Sequence, residues 1–175
     1  FYFFLVYQFF MWFYSHKLSK ILIINNITFV SLTLYPFFGM MVYYHTFSGK
    51  VFLMAVFLFL MLLVMDILKD ILTKNADKIF GYTTIPNTFG TRNAVNVVVA
   101  LSVLLFTVSM LIISNTGIHS ILPLYFAAGL FVIILSVYLL LSSVKKSNFI
   151  VLNILRIWVF VGIIAMLLDG IIERF

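Results

Sequence analysis

The sequence contains no cysteine, and this absence excludes disulfide bonds and thiolate-ligated metal sites. Any metal ion must therefore be held by oxygen or imidazole ligands. Charge is also scarce, since charged residues make up only 9% of the 175 residues. A soluble domain carries about 25% charged residues. The shortage of charge therefore excludes an ordinary soluble globular domain.

Hydrophobic residues make up 65% of the chain, and its mean hydropathy is +1.23. The apolar runs are continuous rather than alternating, which favours membrane helices over the strands of a β-barrel. The net charge of +6 does not indicate nucleic-acid binding, because the basic residues fall in short loops between apolar runs. The composition therefore predicts an integral membrane protein that binds no nucleic acid.

A helix needs about 20 apolar residues to cross the hydrocarbon core of a bilayer. On that measure the chain divides into six spans, the first of which is short. We therefore predict an all-α, polytopic transmembrane helical bundle that forms one domain over residues 1–175. The predicted spans are approximately 1–14, 21–44, 50–68, 94–114, 119–142 and 149–170.

Basic residues are distributed unevenly between the two sides of this predicted bundle. The connections after the first, third and fifth spans carry eight Lys and Arg residues, against two on the opposite side. The positive-inside rule places the richer side in the cytoplasm. The polar segments "YSHKLSK" and "MDILKDILTKNADKIFGYTTIPNTFG" then lie on the same face of the membrane and can meet. The eight residues are Lys17, Lys20, Lys69, Lys74, Lys78, Arg92, Lys145 and Lys146, and the two are Lys50 and Arg174.

The connection after the third span is the longest, and residues 65–90, at and beyond the end of that span, hold three of the five acidic residues. Its pattern predicts that the third helix continues to about Phe80 and that Gly81 ends it. Spacings of four and seven residues put Asp66, Asp70 and Asp77 on one face of such a helix.

Two interpretations of this acidic face remain open from the residues alone. The carboxylates can belong to a solvated helix end, where neighbouring lysines form weak ion pairs. Alternatively they can bind Mg2+, which takes one or two carboxylates and completes its shell with water and substrate phosphate. In that case lysines on the same segment would neutralise a diphosphate.

The arrangement of residues around the acidic face resembles the second aspartate-rich motif of the UbiA superfamily of intramembrane prenyltransferases. The upstream segment "YSHKLSKILIINN" is similar to another motif of that superfamily, with Tyr14, Ser15, Leu18 and Asn26 in place. The last span is similar to that of bacterial members resembling geranylgeranylglycerol-phosphate geranylgeranyltransferases. The residues that match the aspartate-rich motif are Asp66, Lys69, Asp70, Asp77, Gly81, Thr84, Pro86 and Gly90.

The resemblance implies a nine-helix bundle in the bacterial inner membrane, with its active-site loops in the cytoplasm. It implies a Mg2+-dependent transfer of a prenyl group from a prenyl diphosphate to an aromatic or glycerol-phosphate lipid acceptor. It also implies roles for particular residues. Asp66, Asp70 and Asp77 would bind the metal, with Asp70 and Asp77 catalytic, Asn26 would line the cavity, and the diphosphate would contact Tyr14, Lys17, Lys20, Lys69 and Lys78.

The sequence departs from the superfamily pattern in two ways. Residues 1–65 hold no first aspartate-rich motif, and the six spans correspond to the fourth to ninth helices. We therefore expect a C-terminal part that lacks three helices and is inactive alone. Thr73 stands where a metal-binding carboxylate is usual, while Ser19 replaces a lysine and Ala76 a glycine. A noncatalytic membrane protein with the same fold stays open as an alternative, as does a cation transporter fragment.

Overall fold

The computed structural model describes residues 2–115, 121–142 and 146–172, except for the side chain of residue 172. Within these ranges the chain forms helices and connecting turns, and no strand is present. Lys145 and Arg174, which contribute to the predicted charge bias, lie outside the described residues. The helices are α1 (Tyr2–His16), α2 (Ile24–Tyr43), α3 (Gly49–Ile79), α4 (Ile85–Thr88), α5 (Thr91–Asn115), α6 (Leu122–Leu141) and α7 (Ser147–Ile172), with a 3-10 turn at Leu18–Lys20.

Five of these helices, α2, α3, α5, α6 and α7, are long and apolar enough to cross a membrane. The prediction of an all-α polytopic bundle is therefore confirmed. In the first predicted span the structure describes the 15-residue helix α1, which is shorter than each of these five helices.

Helix α3 lies at the centre of the bundle, where it packs against α2, α5 and α7. Helix α6 closes the group by packing against both α5 and α7, while α1 packs against α2 at the side. The side chains between α3, α5, α6 and α7 form one continuous apolar core. Its fully buried members include Met61, Val98, Leu105, Phe126 and Val151.

The C-terminal end of α3 follows the sequence prediction. The helix continues to Ile79, and Gly81 takes the left-handed backbone conformation, with φ +73°. The backbone N–H of Tyr82 donates to the carbonyl of Asp77 at 2.9 Å, and that of Gly81 donates to Lys78 at 3.4 Å. This bond pattern is the Schellman motif, which glycine favours because it has no Cβ.

The segment between α3 and α5 is more ordered than a simple loop. It contains the four-residue helix α4, where Ile85 and Pro86 are buried and Pro86 stands in the first turn. The Thr83 hydroxyl donates a hydrogen bond to the carbonyl of Lys20 in the connection between α1 and α2. The two polar segments of the sequence therefore meet, as their predicted placement on one face allows.

Candidate functional site

The meeting point of the two polar segments encloses a cavity of about 290 Å³. Residues from α1, the 3-10 turn, α2, α3 and the segment before α4 form its walls. Four of them, Tyr14, Lys69, Asp70 and Asp77, belong to the site predicted from the sequence. The complete lining is Tyr14, Ser15, Ser19, Asn25, Lys69, Asp70, Thr73, Asp77, Tyr82 and Thr84.

Two of the acidic residues are joined by one amide beside this cavity. The Asn26 Nδ2 atom donates to Asp66 Oδ2 at 2.8 Å and to Asp70 Oδ2 at 2.8 Å. The three side chains are only 2%, 6% and 5% exposed, respectively. The solvated-helix interpretation is therefore wrong for Asp66 and Asp70. Both carboxylates lie at a closed contact between α2 and α3, where hydrogen bonds must replace the water they have lost.

Asp66 and Asp70 face different spaces. Asp70 lines the 290 Å³ cavity, whereas Asp66 lines a second cavity of about 190 Å³ together with Arg156. Lys69 borders both cavities, and its Nζ atom lies 3.7 Å from Asp66 Oδ1 and 5.4 Å from the centre of the Phe29 ring. Asp66 therefore has both a cation and an amide as partners.

Asp77 is paired with the residue that departs from the superfamily pattern. The Thr73 hydroxyl lies 2.8 Å from Asp77 Oδ2, to which it donates, and 3.0 Å from the carbonyl oxygen of Lys69. A threonine hydroxyl has one proton, so these two acceptors share it. The hydroxyl thus stands one helical turn before Asp77 and contributes a donor where a second carboxylate would contribute negative charge.

The fit of Mg2+ to these residues depends on Asp70 and Asp77. Across residues 2–115, 121–142 and 146–172, no group of three or more His, Asp or Glu residues could hold a metal ion. Mg2+ does not require three, because it commonly binds through one or two carboxylates and retains water and phosphate oxygens. Asp70 and Asp77 border the same cavity and fit this smaller set, while Asp66 lines the other cavity.

Two polar residues at the cavity wall form a further pair. The Tyr14 hydroxyl donates to Asn25 Oδ1 at 2.7 Å, which connects the end of α1 to the first turn of α2. Tyr82, which the sequence prediction did not select, also lines the cavity. Its position directly after the glycine that ends α3 is the available signal, because the Schellman turn folds the chain back over the last turn of the helix.

The remaining predicted residues lie around the cavity rather than in it. Lys17 and Lys20 are exposed and are not part of its lining. Lys78 lines a separate cavity of about 410 Å³ together with Lys74, and Tyr82 forms part of the wall of both spaces. Asn26 is buried behind the wall and contacts it through Asp70.

Comparison with known proteins supports a family assignment that covers most of the chain. A model of the UbiA prenyltransferase family matches residues 1–166. The match includes both polar segments and all the residues that line the 290 Å³ cavity. No curated protein and no solved structure matches the chain.

Proposed function

Because the chain belongs to the UbiA prenyltransferase family, we propose that it transfers a polyprenyl group from a prenyl diphosphate to a lipid-soluble acceptor in a Mg2+-dependent reaction. The acceptor is either an aromatic quinone precursor or a glycerol-phosphate lipid. The C–O bond between prenyl carbon and diphosphate breaks, a bond from that carbon to the acceptor forms, and the acceptor loses a proton. The reaction takes place in the membrane.

The observation that carries this proposal is the composition of the cavity wall. Asp70, Asp77 and Lys69 border one space of about 290 Å³ at the polar end of a long apolar helix. A prenyl diphosphate has the matching chemistry, since it joins a highly charged head to a hydrocarbon chain. The head would lie in the cavity while the chain extends toward the membrane-embedded part of the bundle.

Each residue of the cavity would have a distinct role in this reaction. Asp70 and Asp77 would hold Mg2+, which supplies positive charge that stabilises the departing diphosphate. The Lys69 ammonium would place a further positive charge beside the diphosphate oxygens. Tyr14, whose hydroxyl proton is donated to Asn25 Oδ1, would form part of the cavity wall that contacts the diphosphate.

The test is prenyl transfer by the full-length protein in membranes, measured with radiolabelled geranylgeranyl diphosphate and candidate acceptors, with Mg2+ or with a chelator. The Asp77→Ala variant should lose at least about 100-fold in rate, because removing charge stabilisation of this kind typically costs that much. Asn96→Ala provides the control, since Asn96 is exposed on α5 outside the cavity lining.

The outcomes separate the proposed enzyme from its alternative. Product that requires both Mg2+ and Asp77 supports the proposal. The acceptor that is consumed then shows whether the enzyme prenylates an aromatic quinone precursor or a glycerol-phosphate lipid. Folded protein that gives no product with any acceptor class contradicts it and favours a noncatalytic relative.

A further inference from the structure

We infer that Asn26 is a positioning residue, whose side-chain amide fixes the orientation of Asp70 in the cavity wall and keeps Asp66 at the contact between α2 and α3. The inference rests on the proposed function, because Asp70 matters only if it binds the metal. It differs from the sequence expectation that Asn26 lines the cavity. Asn26 instead acts through the carboxylate in front of it.

The geometry uses both hydrogens of the Asn26 amide. An asparagine NH2 group has two donors, and two carboxylate oxygens lie 2.8 Å from this nitrogen, one on Asp66 and one on Asp70. A hydroxyl has one proton and could satisfy only one of them, while a carboxylate at this position would add a third negative charge. Asparagine therefore provides a neutral, double donor that fits between two acids.

The carbonyl oxygen of the Asn26 side chain indicates that the N–H donors, and not the acceptor, are the functional part of this amide. Asn26 Oδ1 is buried and has no hydrogen-bond partner among the residues that the structure describes. An unsatisfied buried acceptor is unfavourable, and an apolar side chain of similar size would avoid that cost. Rotating the amide by half a turn would bring its oxygen against two carboxylates. The two donated hydrogen bonds therefore outweigh the unpaired carbonyl.

The backbone around Asn26 holds this amide in place. Asn26 is the third residue of α2, and the helix begins directly after Ile23, which takes the left-handed backbone conformation with φ +65°. The connection before it is attached to the segment after α3 through the bond from Thr83 to the Lys20 carbonyl. The connection that leads into α2 is thus fixed against the segment after α3, and the amide reaches both acids from a defined direction.

The consequence for the site is a division of roles between two adjacent acids. Asp66 has Lys69 near its Oδ1 atom and Asn26 on its Oδ2 atom, so both of its oxygens have protein partners. Asp70 has Asn26 on Oδ2 and borders the cavity, so its carboxylate is held in a fixed orientation toward the space that would receive the metal. Hydrogen bonds that orient a ligand typically contribute 10–100-fold to metal affinity.

The test measures Mn2+ binding by electron paramagnetic resonance, as a probe for Mg2+, in the purified full-length protein with a non-hydrolysable geranylgeranyl thiodiphosphate. Asn26→Leu removes both donors and should weaken Mn2+ binding about 10–100-fold. Asn26→Ser retains one donor and should give an intermediate loss. Thermal unfolding without metal is measured for each variant, and affinities are expressed per folded molecule. Asn96→Leu, on the exposed side of α5, is the control.

Equal Mn2+ affinity in the wild type and in Asn26→Leu would overturn the inference, whether or not the variant unfolds at a lower temperature. Asn26 would then only stabilise the contact between α2 and α3. If Asn26→Leu does not fold, unchanged Mn2+ affinity in Asn26→Ser overturns the inference in the same way. A wild-type protein that binds no Mn2+ contradicts the proposed function itself, and this pattern is distinct from the other two.

Discussion

Thr73 changes the chemistry of the cavity at a single position. Its hydroxyl donates to Asp77, so the carboxylate that most resembles a metal ligand is held by a neutral partner. The pair is compact and half-buried, and it borders the space that we assign to the diphosphate. Replacing this threonine with an acid therefore adds a negative charge one helical turn before Asp77.

We predict that Thr73→Asp increases the affinity for divalent metal and lowers the thermal stability of the metal-free protein. Two carboxylates one helical turn apart repel by a few tenths of a kcal/mol in the absence of a cation, so the unfolding temperature without metal should fall slightly. A divalent cation bound between the two carboxylates should offset this repulsion. We therefore expect Thr73→Asp to bind Mn2+ about tenfold more tightly than the wild type. Unfolding temperatures with and without Mn2+ measure both changes. Thr73→Val is the control, and a metal-induced shift no larger than that of the wild type would contradict the prediction.

We also predict that Asp66 and Asp70 differ in function although they are one helical turn apart. Asp70→Asn should reduce Mn2+ affinity at least about tenfold, because it removes a charged ligand from the cavity. Asp66→Asn should change the affinity by less than about threefold and mainly lower the unfolding temperature, because the buried hydrogen bond from Asn26 loses its charged acceptor. Equal losses of metal affinity in the two variants would show that both acids bind the metal.

The sequence predicted which residue types gather at this site but not how they pair. The residues Tyr14, Lys69, Asp70 and Asp77 were predicted, and all four border the cavity. The shared amide of Asn26 was not predictable, since it bridges residues 40 and 44 positions away. A local pattern carries no information about which of two adjacent acids turns inward, because that depends on how closely α2 approaches α3.

At the scale of the elements, the contact between α6 and α7 depends on small residues. A Cβ atom at Gly162 of α7 would lie 2.6 Å from the Tyr125 hydroxyl oxygen and 2.9 Å from its ring. The same tyrosine ring stacks on Trp158 with a centroid distance of 4.9 Å. The absence of a side chain at Gly162 thus allows an aromatic pair to lie between the two helices. Such close approaches are common where membrane helices pack.

We predict that Gly162→Ala lowers the stability of the bundle by about 1–3 kcal/mol, the usual cost of overpacking, because the added methyl group forces the Tyr125 ring to move. The matched control is Gly170→Ala in the same helix, since a Cβ there meets no atom of the described part of the chain within 4 Å. Thermal unfolding in detergent measures both variants. Similar unfolding temperatures for the two would contradict this account of the contact.

Helix ends were predictable where a local rule determines them. Gly81 ends α3 through the bonds that the sequence pattern indicates, and the helix stops within one residue of the predicted position. The short helix α4 was missed because four residues are too few to show a periodic pattern. Its position depends on burial of Ile85 and Pro86 against the bundle, which is a tertiary effect.

For the whole molecule, we predict that the connection after α2 and the last turns of α3 lie on opposite sides of the membrane. The chain has no cysteine, so single cysteines introduced at Phe47 and Asn75, both exposed, can be labelled without background. A membrane-impermeant maleimide should label Asn75→Cys from the cytoplasmic side and Phe47→Cys from the other. Labelling of both positions from one side would contradict the predicted topology.

The class of the whole molecule was predictable from composition, since charge is too rare for a soluble protein and the apolar runs have the length of membrane helices. The number of spans was harder to predict, because the first apolar run, over residues 1–14, is shorter than the roughly 17–25 residues of a crossing helix. The structure makes it a 15-residue helix, which packs against α2 and contributes Tyr14 to the cavity.

The length of α3 relates the site to the thickness of the lipid bilayer. Its 31 residues extend about 46 Å at 1.5 Å per residue, whereas the hydrocarbon layer is about 30 Å thick. The helix continues without interruption from the membrane core to Asp70 and Asp77, so the carboxylates cannot change their depth independently of the span. A thicker bilayer would bring the lipid boundary closer to the two acids, and a thinner one would leave them further out in water.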